Sequence, residues 1–134
     1  MIRKLDETTS VSGQIQPADV PGLKASGVTM IISNRPDDEE PGQPAAAEIQ
    51  EAAKSEGIEF RHVPIIRGIG PADVDAMKEA LEAAPGKLLA YCRTGNRSAL
   101  TWAVARRSQG ASIEEIRDAV ADAGFDLSPV EHLL

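Results

Sequence analysis

Three segments of the chain have the hydrophobic pattern of buried β-strands. Val28–Ser33 is a continuous apolar run rich in β-branched residues, which is typical of a strand covered on both faces. Residues 58–66 carry apolar side chains along most of their length, and Lys87–Tyr91 is a third short apolar run. We predict a strand at each of these three places.

Stretches with helical spacing and helical end signals lie before, between and after these strands. They are residues 17–25, 45–56, 71–84 and 98–109, followed by a helix that begins at the capping box of Ser112 and Glu115. Strands that alternate with helices favour a parallel sheet covered on both faces. The pattern therefore predicts an α/β fold of three layers, a mainly parallel sheet flanked by helices, forming one domain over residues 1–134.

Composition and charge exclude several classes of partner. The chain of 134 residues has a net charge of −7, whereas binding to nucleic acid or to anionic membranes requires a basic face. No apolar run approaches the ~18 residues of a membrane span, and the first residues lack the apolar stretch of a secretory signal. A single cysteine cannot form an intramolecular disulfide, so we expect a cytoplasmic protein.

Metal and cofactor sites are not indicated by the sequence. The two histidines, His62 and His132, are far apart and have no metal-ligand spacing with the one cysteine. We expect both to be structural or surface residues. No glycine motif for a nucleotide occurs either, and we expect no metal and no cofactor.

The only cysteine, Cys92, follows the third predicted strand and precedes a predicted helix. Ligands of an open α/β sheet bind beyond the carboxyl ends of its strands. Successive backbone N–H groups at a helix N-terminus form a cradle for an anion, and their field favours the thiolate over the thiol. Cys92 is therefore predicted to be a nucleophile, rather than the small buried apolar residue that a lone cysteine often is.

The residues after Cys92 fit an anion-binding loop. Gly95 lets the backbone curl, Arg97 offers a planar fork to an oxyanion, and the Ser98 hydroxyl is expected to bond either first-turn amides or the Cys92 sulfur. We predict Cys92, Arg97 and Ser98 as catalytic residues. The remaining members of the predicted anion-binding loop are Arg93, Thr94, Gly95 and Asn96.

The chain resembles known phosphatases in several places. Residues 88–98 are similar to the nucleophile loop of tyrosine and dual-specificity phosphatases, and residues 12–15 and 62–64 also resemble the dual-specificity enzymes. Residues 34–39 together with 91–95 resemble a bacterial phosphatase-like family, also called beta-lactamase-hydrolase-like, which occurs fused to sulfur-metabolising domains. The resemblance implies a phosphatase-like fold and either hydrolase or sulfur-transfer activity. It also favours a position over the active site for Arg35, which follows the first predicted strand. The alternative is that residues 35–40 form a solvated acidic loop.

Two departures from the phosphatase pattern affect the predicted reaction. Four residues separate Cys92 from Arg97, as in many rhodanese-type sulfurtransferases, whereas the phosphatase pattern has five. The resemblance also implies a general acid soon after residue 64, where this chain has Arg67. The nearest carboxylates, Asp73 and Asp75, are possible acids, although acidic residues in a first helical turn usually stabilise the helix.

Sulfur transfer is the preferred prediction from the sequence. A sulfite or persulfide leaving group needs less protonation than an alcohol, and general acid catalysis is typically worth 10²–10⁴-fold. We therefore predict a Cys92 persulfide formed from a small anionic or sulfur-containing substrate and passed to an external thiol. Phosphomonoester hydrolysis through a cysteinyl-phosphate is the alternative. A non-catalytic module that binds anions or phosphopeptides is a third possibility.

Overall fold

A computed structural model describes residues 1–134 and contains a sheet of five strands flanked by helices. The strands are β1 (Ile2–Lys4), β2 (Thr9–Ser12), β3 (Val28–Ser33), β4 (Glu59–His62) and β5 (Lys87–Tyr91). The helices are α1 (Val20–Ala25), α2 (Ala46–Ser55), α3 (Pro71–Ala83), α4 (Asn96–Ser108) and α5 (Ile113–Asp122). Short 3₁₀ segments occupy Pro17–Asp19 and Ser128–Leu133.

The sheet is parallel except at one edge. Its strand order is β1-β2-β5-β3-β4, and only β1 runs antiparallel to its neighbour. The carboxyl ends of the four parallel strands therefore meet at one edge of the sheet, with β5 in the middle. This confirms the predicted three-layer α/β fold with a mainly parallel sheet.

Alternating side chains of the central strands supply two separate cores. Met30 and Ile32 of β3 pack on the face covered by α3, α4 and α5, whereas Ile31 packs on the face covered by α1 and α2. Leu88 and Leu89 of β5 divide in the same way. Burial on both faces is the reason that these strands read as continuous apolar runs in the sequence.

The structure differs from the sequence-based prediction in one hairpin and at several element boundaries. The β1–β2 hairpin was not predicted, because its edge strand β1 is exposed throughout and has no apolar run. The second predicted strand ends at His62 rather than at residue 66, since Val63 still donates to the Ser33 carbonyl but Pro64 has no N–H to donate. Helix α4 begins at Asn96, two residues earlier than predicted. None of the helices has both the length and the apolar character needed to cross a membrane.

Candidate active site

Cys92 lies directly after the central strand β5, at the edge where the parallel strands end. Its backbone N–H donates to the Ser12 carbonyl at the end of β2, at 3.2 Å. The residue is 1% exposed. The strand therefore fixes the backbone of Cys92 and places its thiol at the base of the loop between β5 and α4.

Two glycines allow this loop to close around the sulfur. Gly95 has a φ of +97°, a left-handed conformation that strains any other residue, and its N–H donates to Cys92 Sγ at 3.1 Å. A Cβ at Gly95 would come within 3.0 Å of the Phe125 ring, and one at Gly13 within 2.9 Å of the Arg93 carbonyl oxygen. Both positions therefore require glycine for close contact between backbone segments.

The loop and the first turn of α4 offer several unpaired backbone donors. The N–H groups of Arg93, Thr94, Arg97 and Ser98 donate to no acceptor within the protein, whereas that of Asn96 bonds the Thr94 hydroxyl. The first N–H groups of any helix lack intrahelical partners, and together with the helix dipole they attract anions. This geometry fits the anion cradle that the sequence predicts.

Arg97 is held in place by a carboxylate and a carbonyl group. Its Nη1 donates to Glu39 Oε2 at 2.7 Å and to the Ile65 carbonyl at 2.8 Å, and its Nη2 donates to Glu39 Oε1 at 2.8 Å. The hydrogen bonds that Arg97 donates to Glu39 raise the pKa of Arg97 above its ordinary value, although burial opposes this, and the nearby Cys92 adds to the rise. The guanidinium therefore lies beside the thiol and stays charged.

Glu39 belongs to a network that links three arginines. Its Oε1 also accepts from Arg35 Nε at 2.9 Å. Glu40 Oε1 accepts from Arg35 Nη2 at 2.7 Å and forms an ion pair with Arg93 Nε at 3.0 Å. The Arg97 hydrogen bond holds the pKa of Glu39 below its usual value, against the effect of burial, and Arg35 lowers it further. Glu39 is therefore an ionised carboxylate at neutral pH.

Arg35 is a buried support rather than an exposed cation. Its side chain is 4% exposed, and its Nη1 donates to Gln14 Oε1 at 3.0 Å in addition to its bonds with both glutamates. The structure thus brings Arg35 to the site through Glu39 and Glu40. Direct contact between Arg35 and a substrate stays a prediction.

Ser98 has a different partner from either of the two expected. Its hydroxyl donates to Asn34 Oδ1 at 2.8 Å, so the expected bond to the Cys92 sulfur or to a first-turn amide is wrong for this state of the molecule. Asn34 Nδ2 in turn donates to the Val63 carbonyl at 3.0 Å. Both Asn34 and Ser98 are 0% exposed, and together they tie α4 to the segments that follow β3 and β4.

Replacing Asn34 with alanine is expected to destabilise the protein by about 3 kcal/mol, because it leaves the buried Ser98 hydroxyl and the partly buried Val63 carbonyl without partners. Urea unfolding measures this as a lower midpoint with an unchanged slope. Asn96→Ala is the matched control: Asn96 is exposed in the same region, and its loss should cost less than ~0.5 kcal/mol. Equal stability of the two variants would contradict the role assigned to Asn34.

The possible general acids are not bonded to the loop. Asp73 Oδ2 accepts from the Gly70 N–H at 2.9 Å and so caps the start of α3, and Asp75 is exposed on the same helix. Arg67 is exposed, and His62 Nε2 lies 2.9 Å from the Arg35 carbonyl oxygen. No group of three His, Cys, Asp or Glu side chains is arranged to hold a metal ion.

Sequence reasoning missed two residues that organise the site, Glu39 and Asn34. Both follow the buried strand β3, at the same sheet edge as Cys92, and Glu39 was interpreted as part of a solvated acidic loop. The available signal was the position of this acidic run, directly after a strand end and next to Arg35. Polar residues at that edge are brought together by the sheet, whatever their separation in the chain.

Relatives of this chain are longer proteins that carry the name beta-lactamase hydrolase-like protein. Residues 1–112 match the family model of the beta-lactamase hydrolase-like protein, phosphatase-like domain. The beta-lactamase hydrolase-like protein of Agrobacterium fabrum is 35% identical over 127 residues, which cover 92% of this chain and 29% of that protein. The chain therefore spans less than a third of the length of this relative.

Solved structures agree with this assignment. A candidate phosphatase from Neisseria meningitidis is 37% identical, with a TM-score of 0.84 over 98% of this chain and 95% of that one. Kinase-associated phosphatase, with its catalytic-site cysteine replaced by serine, is 20% identical, with a TM-score of 0.66 over 90% of this chain and 76% of that one. At that identity the second match shows the fold alone, which is of the tyrosine and dual-specificity phosphatase type. With most of its length matched by the family model, this chain belongs to the beta-lactamase hydrolase-like family and corresponds to its phosphatase-like domain.

Proposed function

We propose that this chain is a phosphatase-type hydrolase that works through a covalent cysteinyl-phosphate on Cys92. The observation that carries the proposal is the position of Cys92 Sγ at the base of a loop with four unpaired backbone N–H groups and the Arg97 guanidinium beside it. The likeness to phosphatases supports it and favours this reaction over the sulfur transfer preferred from loop length.

The reaction has two steps. The Cys92 thiolate attacks phosphorus, so that a P–S bond forms while the P–O bond breaks, and the leaving group departs with the electron pair. Water then attacks the cysteinyl-phosphate, inorganic phosphate is released, the thiolate is regenerated and a proton passes to solvent. Arg97 and the unpaired amides donate to the phosphoryl oxygens throughout, where their fixed dipoles stabilise the transition state.

The site favours substrates with acidic leaving groups. Glu39 is ionised beside Arg97 and so is a poor proton donor at neutral pH, and Asp73 caps a helix. A phenolate or alkoxide then departs without help from an acid. We therefore propose activated phosphoesters, rather than simple alkyl phosphates, as the substrate class.

A series of aryl phosphates tests the reaction and this preference together. We expect kcat/KM to fall steeply as the phenol becomes less acidic. The reason is that the site lacks most of the ~10²–10⁴-fold rate enhancement that a general acid supplies. Asp73→Asn and Asp75→Asn should show the same slope as the unaltered chain. A flat dependence that becomes steep in either variant would identify that residue as the acid, and absence of turnover with every ester would overturn the proposed function.

Sulfur transfer is the second candidate, and one specific observation favours it: only four residues separate Cys92 from Arg97. Intact-mass measurement distinguishes the two reactions. A phosphoryl enzyme gains roughly 80 Da, the mass of the group carried by a covalent intermediate, whereas a persulfide formed from thiosulfate gains roughly 32 Da. A persulfide adduct without phosphoester turnover would promote this second candidate.

A further inference from the structure

The Arg97 guanidinium has donors left over after its contacts with the protein. A guanidinium carries five N–H groups in one plane. Glu39 accepts one from Nη1 and one from Nη2, and the Ile65 carbonyl accepts the second from Nη1. Three of the five donors are thereby used.

The two donors that remain lie on one edge of the guanidinium. They are the Nε–H and the second Nη2–H, which are adjacent and parallel and so match two oxygens of a phosphoryl group. Glu39 and Ile65 occupy only the end of the plane and the opposite side. We propose that Glu39 is a positioning residue, which holds Arg97 by its far end so that the free edge faces the phosphoryl group bound above Cys92.

Glu39 can act in this way because it is itself fixed from behind. Arg35 Nε donates to the same Oε1 that accepts from Arg97 Nη2, and the Arg35 side chain is 4% exposed. Gln14 and Glu40 take two further donors of Arg35. The buried Arg35 thus orients the Glu39 carboxylate, and Glu39 in turn orients the Arg97 guanidinium at the site.

A different role for Glu39 would have the opposite consequence. If its carboxylate occupied the place of the substrate oxyanion, an incoming phosphate would have to displace it, and removing Glu39 would strengthen phosphate binding. The assignment of the Arg97 donors argues against this second role. While Glu39 is hydrogen-bonded to Arg97, the Nε–H and the second Nη2–H, which form the edge suited to phosphate, have no acceptor. The inference rests on the proposed function only in taking the oxyanion to be a phosphoryl group.

Binding of inorganic phosphate to Glu39→Gln and Asp38→Asn, measured by calorimetry, tests the inference without any need for turnover. Both variants remove one negative charge from the same loop, but Asp38 is exposed, takes no part in the arginine network, and has a φ of +63° that asparagine tolerates. We expect Glu39→Gln to weaken phosphate binding about tenfold, as loss of a charged hydrogen-bond network would. Asp38→Asn should bind phosphate within about twofold of the unaltered chain or slightly tighter, since only the electrostatic field at the site changes.

Each outcome bears on the assignment. Tighter phosphate binding by Glu39→Gln than by Asp38→Asn would show a blocking carboxylate, and equal binding by both would show an effect of charge alone; either overturns the positioning role. In aryl phosphate turnover, Glu39→Gln should lower kcat as well as raise KM, with partial recovery in Glu39→Asp. If the unaltered chain binds phosphate but hydrolyses no ester, the proposed function fails while the positioning role stands. If it binds no phosphate, both are overturned.

Discussion

Replacing Cys92 with serine is expected to lower kcat on a good aryl phosphate by about 10⁴-fold or more, as removal of an enzyme nucleophile does. The serine hydroxyl is similar in size but is a much weaker nucleophile than the cysteine sulfur. Inorganic phosphate should bind Cys92→Ser at least as tightly as the unaltered chain, because the backbone amides and the Arg97 guanidinium that bind it are unchanged. Steady-state kinetics and calorimetry on the same preparations provide both numbers.

The combination of lost turnover and retained binding separates an enzyme from a binding module. A module would keep its biological role in Cys92→Ser, and turnover that persists in this variant would remove Cys92 from the mechanism. Trp102 serves as the control for folding, because it is the only tryptophan, lies in α4 just beyond the loop and is 3% exposed. Its fluorescence should be unchanged by the substitution.

Substituting lysine for Arg97 is expected to reduce kcat/KM by about 10²-fold, comparable with removal of one oxyanion-hole donor. Arg97 donates to both Glu39 oxygens and to the Ile65 carbonyl, and still has an edge for the phosphoryl group. A lysine ammonium has three donors on a point charge, so it cannot bond Glu39 bidentately and also present a planar fork. The lysine variant therefore keeps the positive charge at residue 97 but loses the planar arrangement of donors.

Arg93→Lys is the matched control for this prediction. Arg93 lies in the same loop, its side chain is 61% exposed, and its ion-pair partner is Glu40 at 3.0 Å. The lysine variant at this position should retain activity within about threefold, because exposed ion pairs contribute little. If Arg97→Lys and Arg93→Lys are equally active, Arg97 supplies only positive potential and its planar fork has no part in the reaction.

Local sequence determined the framework of this site. Val28–Ser33 and Lys87–Tyr91 were predicted with the bounds that the structure has, because central strands buried on both faces must be apolar along their length. The place of Cys92 between β5 and α4 followed from these elements. The motif after it, together with residues 34–39, was also sufficient to indicate the phosphatase-like family, which the comparisons confirm. Each of these signals is contained in a short run of consecutive residues.

Loop length alone was a poor guide to the reaction. The four residues between Cys92 and Arg97 favoured sulfur transfer, whereas the relatives found over most of the chain favour a phosphatase. The number of residues between Cys92 and Arg97 indicates how many backbone donors the loop supplies. It does not indicate which groups other segments of the chain place beside the loop. The Gly13 backbone and the Ile65 carbonyl both border this loop from outside its motif.

Tertiary structure alone decided which side chains complete the site. Glu39 meets Arg97 across 58 residues of sequence, and Asn34 meets Ser98 across 64. Neither contact produces a periodic pattern in the sequence. Each depends on β3 and β5 being neighbours in a parallel sheet, because the ends of parallel strands meet at a common edge. From the sequence, the acidic residues after β3 are indistinguishable from a solvated loop. Only the folded sheet places Glu39 against Arg35 and Arg97. The conformation of Arg97 is therefore set by a carboxylate that only the sheet topology brings to it.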